Sequence, residues 1–190
     1  MKLNKSQIRK EFLEKRQSLP PGERENRSLA ICMQLFSNFD LAKKLVSIYL
    51  PIEKFHEINT YKILEMGLTL DVRFTIPKVE NAGVELSHYH YDPKNQLELS
   101  KWGIPEPKEG KKTSIKDIDF ILVPLVAFDS KGFRVGYGKG YYDQLLKKCG
   151  EHTTFIGLSY FEESVEITDK FVGDIPLHYC ITPQRIIKFD

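Results

Sequence analysis

Residues 134–143 read RVGYGKGYYD, which sets glycine at 136, 138 and 140, cations at 134 and 139, and a carboxylate at 143. Glycine has no Cβ, so the backbone can turn sharply and bring its peptide N–H groups close to a ligand. A helix opening near Gly140 would aim its positive dipole end and unpaired N–H groups at the same point. Arg134 and Lys139 would add charge-assisted hydrogen bonds, and phosphate is the ligand this composition fits. Asp143, about one turn into that helix, is either a carboxylate favoured by the dipole or a ligand to Mg2+ carried with a polyphosphate. The Gly-x-Gly-x-Gly spacing matches neither the Gly-x-x-x-x-Gly-Lys-Ser/Thr loop nor the Gly-x-Gly-x-x-Gly dinucleotide fingerprint. On glycines alone, a plain strand-to-helix turn is the commoner reading. The flanking charges are what argue for a site.

Two elements must frame this loop. DFILVP (119–124) is the most apolar short run and is expected as a central parallel strand, feeding the loop through LVAFDSKGF. YYDQLLKKCG (141–150) is expected as the following helix, ending at Gly150. Upstream, residues 5–16 read as a helix with Ile8, Phe12 and Leu13 apolar, Lys5, Arg9 and Arg16 on more polar faces, and Pro20-Pro21 as its stop. A second helix spans about 22–36, with Leu29, Cys32, Met33 and Phe36 as its apolar face. LVSIYL (45–50) reads as a buried strand, and EINTYKILEMG (57–67) as a helix closed by Gly67 with positive φ. Strands are expected within 68–77, 84–91, 153–160 and 185–189. The alternation predicts a single α/β domain over 1–190, a Rossmann-like three-layer fold with a mostly parallel sheet and helices on both faces. Ligands of such sheets sit beyond the strand carboxyl ends, where the glycine loop falls.

Composition narrows the function classes. Twenty-eight basic against 26 acidic residues give no overall field to recruit nucleic acid or an anionic membrane. Residues 1–27 nevertheless hold eight basic and four acidic side chains, a local resource for binding an anion. Cys32, Cys149 and Cys180 are far apart and odd in number, which suits a reducing compartment, the cytoplasm by default. The N-terminus lacks an apolar signal core, and no apolar run reaches the roughly 18 residues of a membrane span. His88 and His90 share a strand face without a third ligand nearby, and Cys149 has no partner base.

The segment VPLVAFDSKGFRVGYGKGYYDQLL (123–146) resembles the signature of the 5-formyltetrahydrofolate cyclo-ligase, or methenyltetrahydrofolate synthetase, family. KSQIR (5–9), SIYLPIEKFHEINT (47–60) and WGIPEP (102–107) resemble three further blocks of that family, in its order, so the resemblance covers almost the whole chain. It implies a cytosolic enzyme that uses ATP and Mg2+ to close 5-formyltetrahydrofolate into 5,10-methenyltetrahydrofolate, releasing ADP and phosphate. The implied path is attack of the formyl oxygen on the γ-phosphate, attack of N10 on the activated carbon, and loss of phosphate. Such chemistry depends mainly on alignment and on neutralising phosphate charge.

The resemblance also implies roles for residues. Lys5, Ser6, Gln7, Ile8 and Arg9 would meet ATP from the first helix, and the four-residue spacing puts Lys5 and Arg9 on one face. Arg134, Val135, Gly136, Tyr137, Gly138, Lys139, Gly140, Tyr141 and Tyr142 would form the ATP loop. Within it, Tyr137, Gly138, Lys139, Gly140 and Tyr141 would also border the folate, and Arg134, Lys139 and Tyr141 would be catalytic. Leu50, Glu57 and Trp102 would hold the folate, with Glu57 accepting paired hydrogen bonds from the pterin's amino-pyrimidine edge. Asp143 and Asp174 would be linked to Mg2+, while His178 stands where the family has a second aspartate. Without the resemblance, the basic helix face is ordinary solvated surface, Glu57 a helix N-terminal charge, and Leu50 and Trp102 packing. A monomer binding two small molecules is expected, and the competing class is a folate- or nucleotide-binding module without turnover.

Overall fold

The computed structural model describes residues 2–80, 85–94, 97–100, 103–162 and 164–190. In chain order the elements are β1 (Lys2–Leu3), α1 (Lys5–Ser18), α2 (Pro21–Asn38), β2 (Leu45–Ser47), α3 (Tyr61–Thr69), β3 (Arg73–Glu80), β4 (Glu85–His90), β5 (Leu97–Leu99), β6 (Pro105–Pro107), β7 (Lys112–Thr113), β8 (Phe120–Pro124), β9 (Ala127–Phe128), β10 (Arg134–Val135), α4 (Tyr141–Leu146), β11 (Thr154–Leu158), β12 (Glu166–Ile167), β13 (Tyr179–Ile181) and β14 (Ile186–Lys188).

Apolar side chains alternate to both faces of the central strands, and the sheet is buried on both sides as a result. Val46, Phe74, Ile76, Leu122, Ile156 and Ile181 face Ile31, Cys32 and Leu35 of α2 and Ile63 and Leu64 of α3. Leu45, Ile121, Val123, Phe155 and Cys180 face the other way, with Leu145 and Leu146 of α4. Eight strands pair in the order β14-β13-β11-β8-β2-β3-β4-β7. The inner five run parallel, while β4, β7 and β14 join by antiparallel pairing, with β7 and β14 at the two edges. This is the expected α/β class, since parallel strands covered on both faces read as near-continuous apolar runs.

A third cluster positions the site. Antiparallel β9 and β10 form a hairpin just past the carboxyl end of β8. Ile8 and Phe12 of α1 pack on its Val126, Ala127 and Val135, together with Ile167. The start of α1 is fixed by a capping box: Asn4 Oδ1 accepts from the Gln7 N–H at 2.9 Å, and Gln7 Oε1 accepts from the Asn4 N–H at 3.1 Å. Pro21 at the first position of α2 sets the next start, so the prolines end one helix and open another.

Several local expectations are corrected. Gly67 lies inside α3, where a Cβ would come 2.4 Å from Phe74 Cζ, so its small size and not a positive φ explains it. The reversal after α3 falls to Asp71, with φ 57°. The buried stripe of α2 is Ser28, Ile31, Cys32 and Leu35, while Leu29 and Met33 are 43 % and 56 % exposed. Ser28 can face inward because its hydroxyl donates to the Arg24 carbonyl and accepts the Asn59 N–H. Arg16, expected on a polar face, is buried. Strand β2 stops after three residues, and residues 48–50 leave the sheet still buried. Residues 57–60 precede α3, and α4 ends at Leu146.

The β9–β10 turn depends on Gly132, whose φ is 81° and whose added Cβ would lie 2.7 Å from the Leu177 carbonyl oxygen. Gly132→Ala should therefore cost about 2 kcal/mol, from a left-handed backbone and a clash with backbone that cannot yield. Urea denaturation checks this, and a loss under about 0.5 kcal/mol would show that the turn relaxes freely.

Candidate active site

A cavity of about 740 Å3 opens past the carboxyl ends of β2 and β8. Leu50, Pro77, Val79, Leu86, Ile104 and Pro105 give it apolar walls. Lys5, Ser6 and Arg9 of α1, the loop 136–140 and Arg134 bring polar and cationic groups to the same space. Of the residues singled out in the sequence, Leu50, Glu57, Tyr137, Gly138, Lys139, Gly140, Tyr141, Tyr142, Asp143 and Asp174 also line it. Ile8 and Val135 are instead wholly buried in the cluster under α1, and Gln7 caps the helix. Trp102 lies outside the described residues.

The cations are held by the protein's own groups. Lys5 Nζ pairs with Asp174, whose Oδ2 also accepts the Phe171 N–H at 2.9 Å. Arg9 Nε donates to the Gly136 carbonyl at 2.6 Å, and its guanidinium lies against Gly138, where a Cβ would come 3.4 Å from Nη2. Gly138 and Gly140 take φ of 87° and 70°, so the loop does require glycine at these two positions. Arg134 is buried and donates to Asp143 Oδ1 at 2.8 Å and to the Ile175 carbonyl at 2.7 Å. Burial works against its charge, and Asp143 works to keep it. Arg134 thus braces the loop from beneath, while Lys139 is exposed on it. The expected help from a helix dipole is small, because α4 has six residues. Attraction for an anion must come from side-chain cations and loop N–H groups.

Glu57 sits in the deeper part of this architecture. The chain turns inward at His56, and Glu57 Oε2 accepts the Ile52 N–H at 2.8 Å while Oε1 accepts the Tyr137 hydroxyl at 2.6 Å. Tyr160 donates to the Glu57 carbonyl at 2.9 Å. Burial raises the Glu57 pKa above the ordinary carboxyl value, and the Tyr137 hydroxyl, the Ile52 N–H and Arg16 each act to lower it. The Tyr137 ring stacks on Phe55 with centroids 4.8 Å apart.

Two site residues escaped the sequence reading. Arg16 donates to the Tyr137 hydroxyl at 2.9 Å, and its place in the 8, 12, 16 stripe of α1 was the signal that it faces inward. Glu106, between two prolines of β6, is 4 % exposed, lines the cavity and accepts the Val79 N–H at 3.2 Å. His178 proves structural: its Nδ1 accepts the Phe155 N–H at 2.9 Å, and its ring stacks on Phe155. His88 is spent on Ser47 Oγ at 2.9 Å. No group of three or more His, Cys, Asp or Glu among the described residues is arranged to hold a metal by itself. Burial pushes the Cys149 thiol up to about 11, which works against the thiolate that a nucleophile would need.

The sequence pattern of the 5-formyltetrahydrofolate cyclo-ligase family matches residues 1–178. The chain belongs to that family. The 5-formyltetrahydrofolate cyclo-ligase of Mycolicibacterium smegmatis is 29 % identical over 188 residues, spanning 96 % of this chain and 95 % of that one. The Escherichia coli 5-formyltetrahydrofolate cyclo-ligase is 30 % identical over 135 residues, 68 % of this chain and 74 % of that one. The NMR structure of Aquifex aeolicus 5,10-methenyltetrahydrofolate synthetase superposes with a TM-score of 0.81 at 35 % identity, covering 97 % of this chain and 92 % of that chain. These relatives indicate cyclo-ligase activity, so the chain is a ligase that acts on small molecules. No described helix is long and apolar enough to cross a membrane.

In this cyclo-ligase fold the Arg134–Asp143 pair carries structural weight. Asp143→Ala should cost about 3 kcal/mol, because it strands a buried guanidinium. Asp174→Ala, which leaves the more accessible Lys5, should cost about 1 kcal/mol. Denaturant midpoints of both variants check the ranking, and equal losses would contradict it.

Proposed function

We propose that the cavity binds ATP and 5-formyltetrahydrofolate side by side and forms 5,10-methenyltetrahydrofolate, ADP and phosphate through a phosphorylated formyl oxygen. The observation that carries this reading is one cavity lined both by the cationic glycine loop and by Glu57, with Tyr137 of the loop bonded directly to that carboxylate. A phosphate donor on the loop and a ring system held by Glu57 are thereby in reach of each other.

Glu57, as a carboxylate, accepts two N–H groups from the pterin's amino-pyrimidine edge, and the walls of Leu50, Pro77, Val79 and Ile104 take the rings. Lys5, Arg9 and Lys139 meet the phosphates, and Gly138 and Gly140 are exposed on the same loop, where their N–H groups can add to the anion site. The formyl oxygen attacks the γ-phosphorus as ADP leaves. N10 then adds to the activated carbon, gives up its proton, and phosphate departs with its oxygen. No covalent bond to the enzyme is needed, so the protein's work is alignment and charge neutralisation.

Asp143 and Asp174 fit Mg2+ delivered with ATP, since both line the cavity and each accepts its hydrogen bonds from the described residues on a single carboxylate oxygen, leaving the other free among them. The ion would supply charge neutralisation on the phosphates. Three free cysteines, buried or half-buried, suit a reducing cytoplasm, and nothing in the reaction requires a second subunit.

The test is purified protein with 5-formyltetrahydrofolate, ATP and Mg2+, followed by the absorbance of the methenyl product. Binding without product would replace the enzyme reading with a binding module. Lys139→Ala should raise KM for ATP about 10- to 100-fold, the worth of one charge-assisted hydrogen bond, with a smaller change in KM for the folate. Unchanged kinetics would remove Lys139 from the phosphate site.

A further inference from the structure

Arg16 stands on the third turn of the Ile8–Phe12 stripe and is 2 % exposed. Its Nη2 donates to the Leu125 carbonyl at 2.7 Å, and its Nη1 to the Tyr137 hydroxyl at 2.9 Å and the Phe55 carbonyl at 3.5 Å. Its Nε finds no acceptor among the described residues. Every acceptor it has is therefore neutral, an unfavourable setting for a buried guanidinium unless a counter-charge lies close. Glu57 provides that charge one hydroxyl away, because Tyr137 accepts from Arg16 and donates to Glu57 Oε1.

The other titratable groups that face Glu57 are phenols. Tyr49 follows β2, Tyr142 stands in α4, and the charge of Glu57 bears on both. Tyr160, after β11, donates to the Glu57 backbone. Arg16 is the cation that acts on Glu57. An amino-pyrimidine edge presents two N–H donors and needs an acceptor-only partner. A protonated carboxyl would set its O–H against one of them.

We propose that Arg16 is a positioning residue which, through the Tyr137 hydroxyl, keeps Glu57 ionised and fixed in rotation, so that the glycine loop and the folate carboxylate share one hydrogen-bonded chain. The ligand half of this inference rests on the folate reading above, while the effect of Arg16 on Glu57 does not. The direction with pH follows. Burial raises the Glu57 pKa, and Arg16 and Tyr137 restrain that rise, so losing either moves the midpoint higher. Folate affinity grows as pH rises through the Glu57 midpoint, and in the variants that growth moves to higher pH.

The experiment uses full-length protein, Arg16→Met, Tyr137→Phe, the double variant and Arg16→Lys. The Glu57 carboxyl carbon is titrated by NMR without ligand on glutamate-labelled protein, its signal assigned by loss in Glu57→Gln. Each single variant should raise the midpoint by about one pH unit, and the double by no more than the larger single. Arg16→Lys should restore part of the shift. At a pH near the wild-type midpoint, the Kd for 5-formyltetrahydrofolate should rise up to about tenfold in Arg16→Met, while the Kd for ATP alone stays within about twofold. A midpoint unmoved in folded Arg16→Met, or additive shifts in the double variant, would overturn the proposal. If Arg16→Met does not fold, Tyr137→Phe decides it on the same criterion. If wild-type protein binds no 5-formyltetrahydrofolate, the functional reading fails, and the ligand-free midpoints still decide the relay.

Discussion

Everything at the cationic side of the cavity depends on α1 being seated on the β9–β10 hairpin. Ile8 and Phe12 are withdrawn from water against Val126, Ala127, Val135 and Ile167, at roughly 1.5–3 kcal/mol for each large apolar side chain. That contact fixes one helix face inward. Lys5, Arg9 and Arg16 then have no freedom to choose another direction: Lys5 reaches Asp174, Arg9 reaches Gly136, and Arg16 passes beneath the loop to Leu125 and Tyr137. The helix is amphipathic in an unusual sense, because its buried stripe ends in a charge. Packing energy from two apolar residues offsets the cost of burying the third.

The cations already have partners before any phosphate arrives. A preorganised site of this kind has lost its side-chain entropy on folding and does not lose it again on binding. On the proposed reading the cost is exchange, since a phosphate would take Lys5 from Asp174. Arg134 is different, because its guanidinium is committed to Asp143 and to the Ile175 carbonyl. It fixes the position of the loop, and its removal would be felt as stability as well as turnover. Loop residues that look equivalent in a motif thus divide by burial into supports, such as Arg134, and exposed groups, such as Lys139.

This division explains what could and could not be read from the chain. Strand β8 and its neighbours were legible, because burial on both faces leaves uninterrupted apolar runs. The glycine loop was legible because glycine takes the positive φ found at Gly138 and Gly140 at little cost, whereas other residues are disfavoured there. The register of α2 was missed by one position because Ser28, a polar residue, fills a core site by satisfying its hydroxyl against backbone groups. Arg16 was missed for a related reason: periodicity arguments assign charge to solvent, and a charge with a buried counter-charge breaks that rule. Strand β6 hides Glu106 in the same way, between flanking prolines. His178 could not be judged without its ring partner, since stacking on Phe155 depends on the parallel register of β11 and β13.

The position of Glu57 follows from where β2 ends. Three paired residues suffice to hold β2 between β3 and β8, and the chain then leaves the sheet along the cavity through Tyr49 and Leu50. Returning a carboxylate to that space requires a tight reversal, and His56 supplies it with φ 48°. A non-glycine residue there costs on the order of 1–2 kcal/mol. Four hydrogen bonds lie against that cost: Ile52 N–H and Tyr137 O–H to the carboxylate, Tyr160 to the Glu57 carbonyl, and Thr60 Oγ1 to the Tyr49 carbonyl. Three of the four involve Glu57 itself, and one of those comes from the glycine loop. The strained turn and the loop therefore stabilise each other through the same carboxylate, so whatever binds Glu57 is sensed at Tyr137.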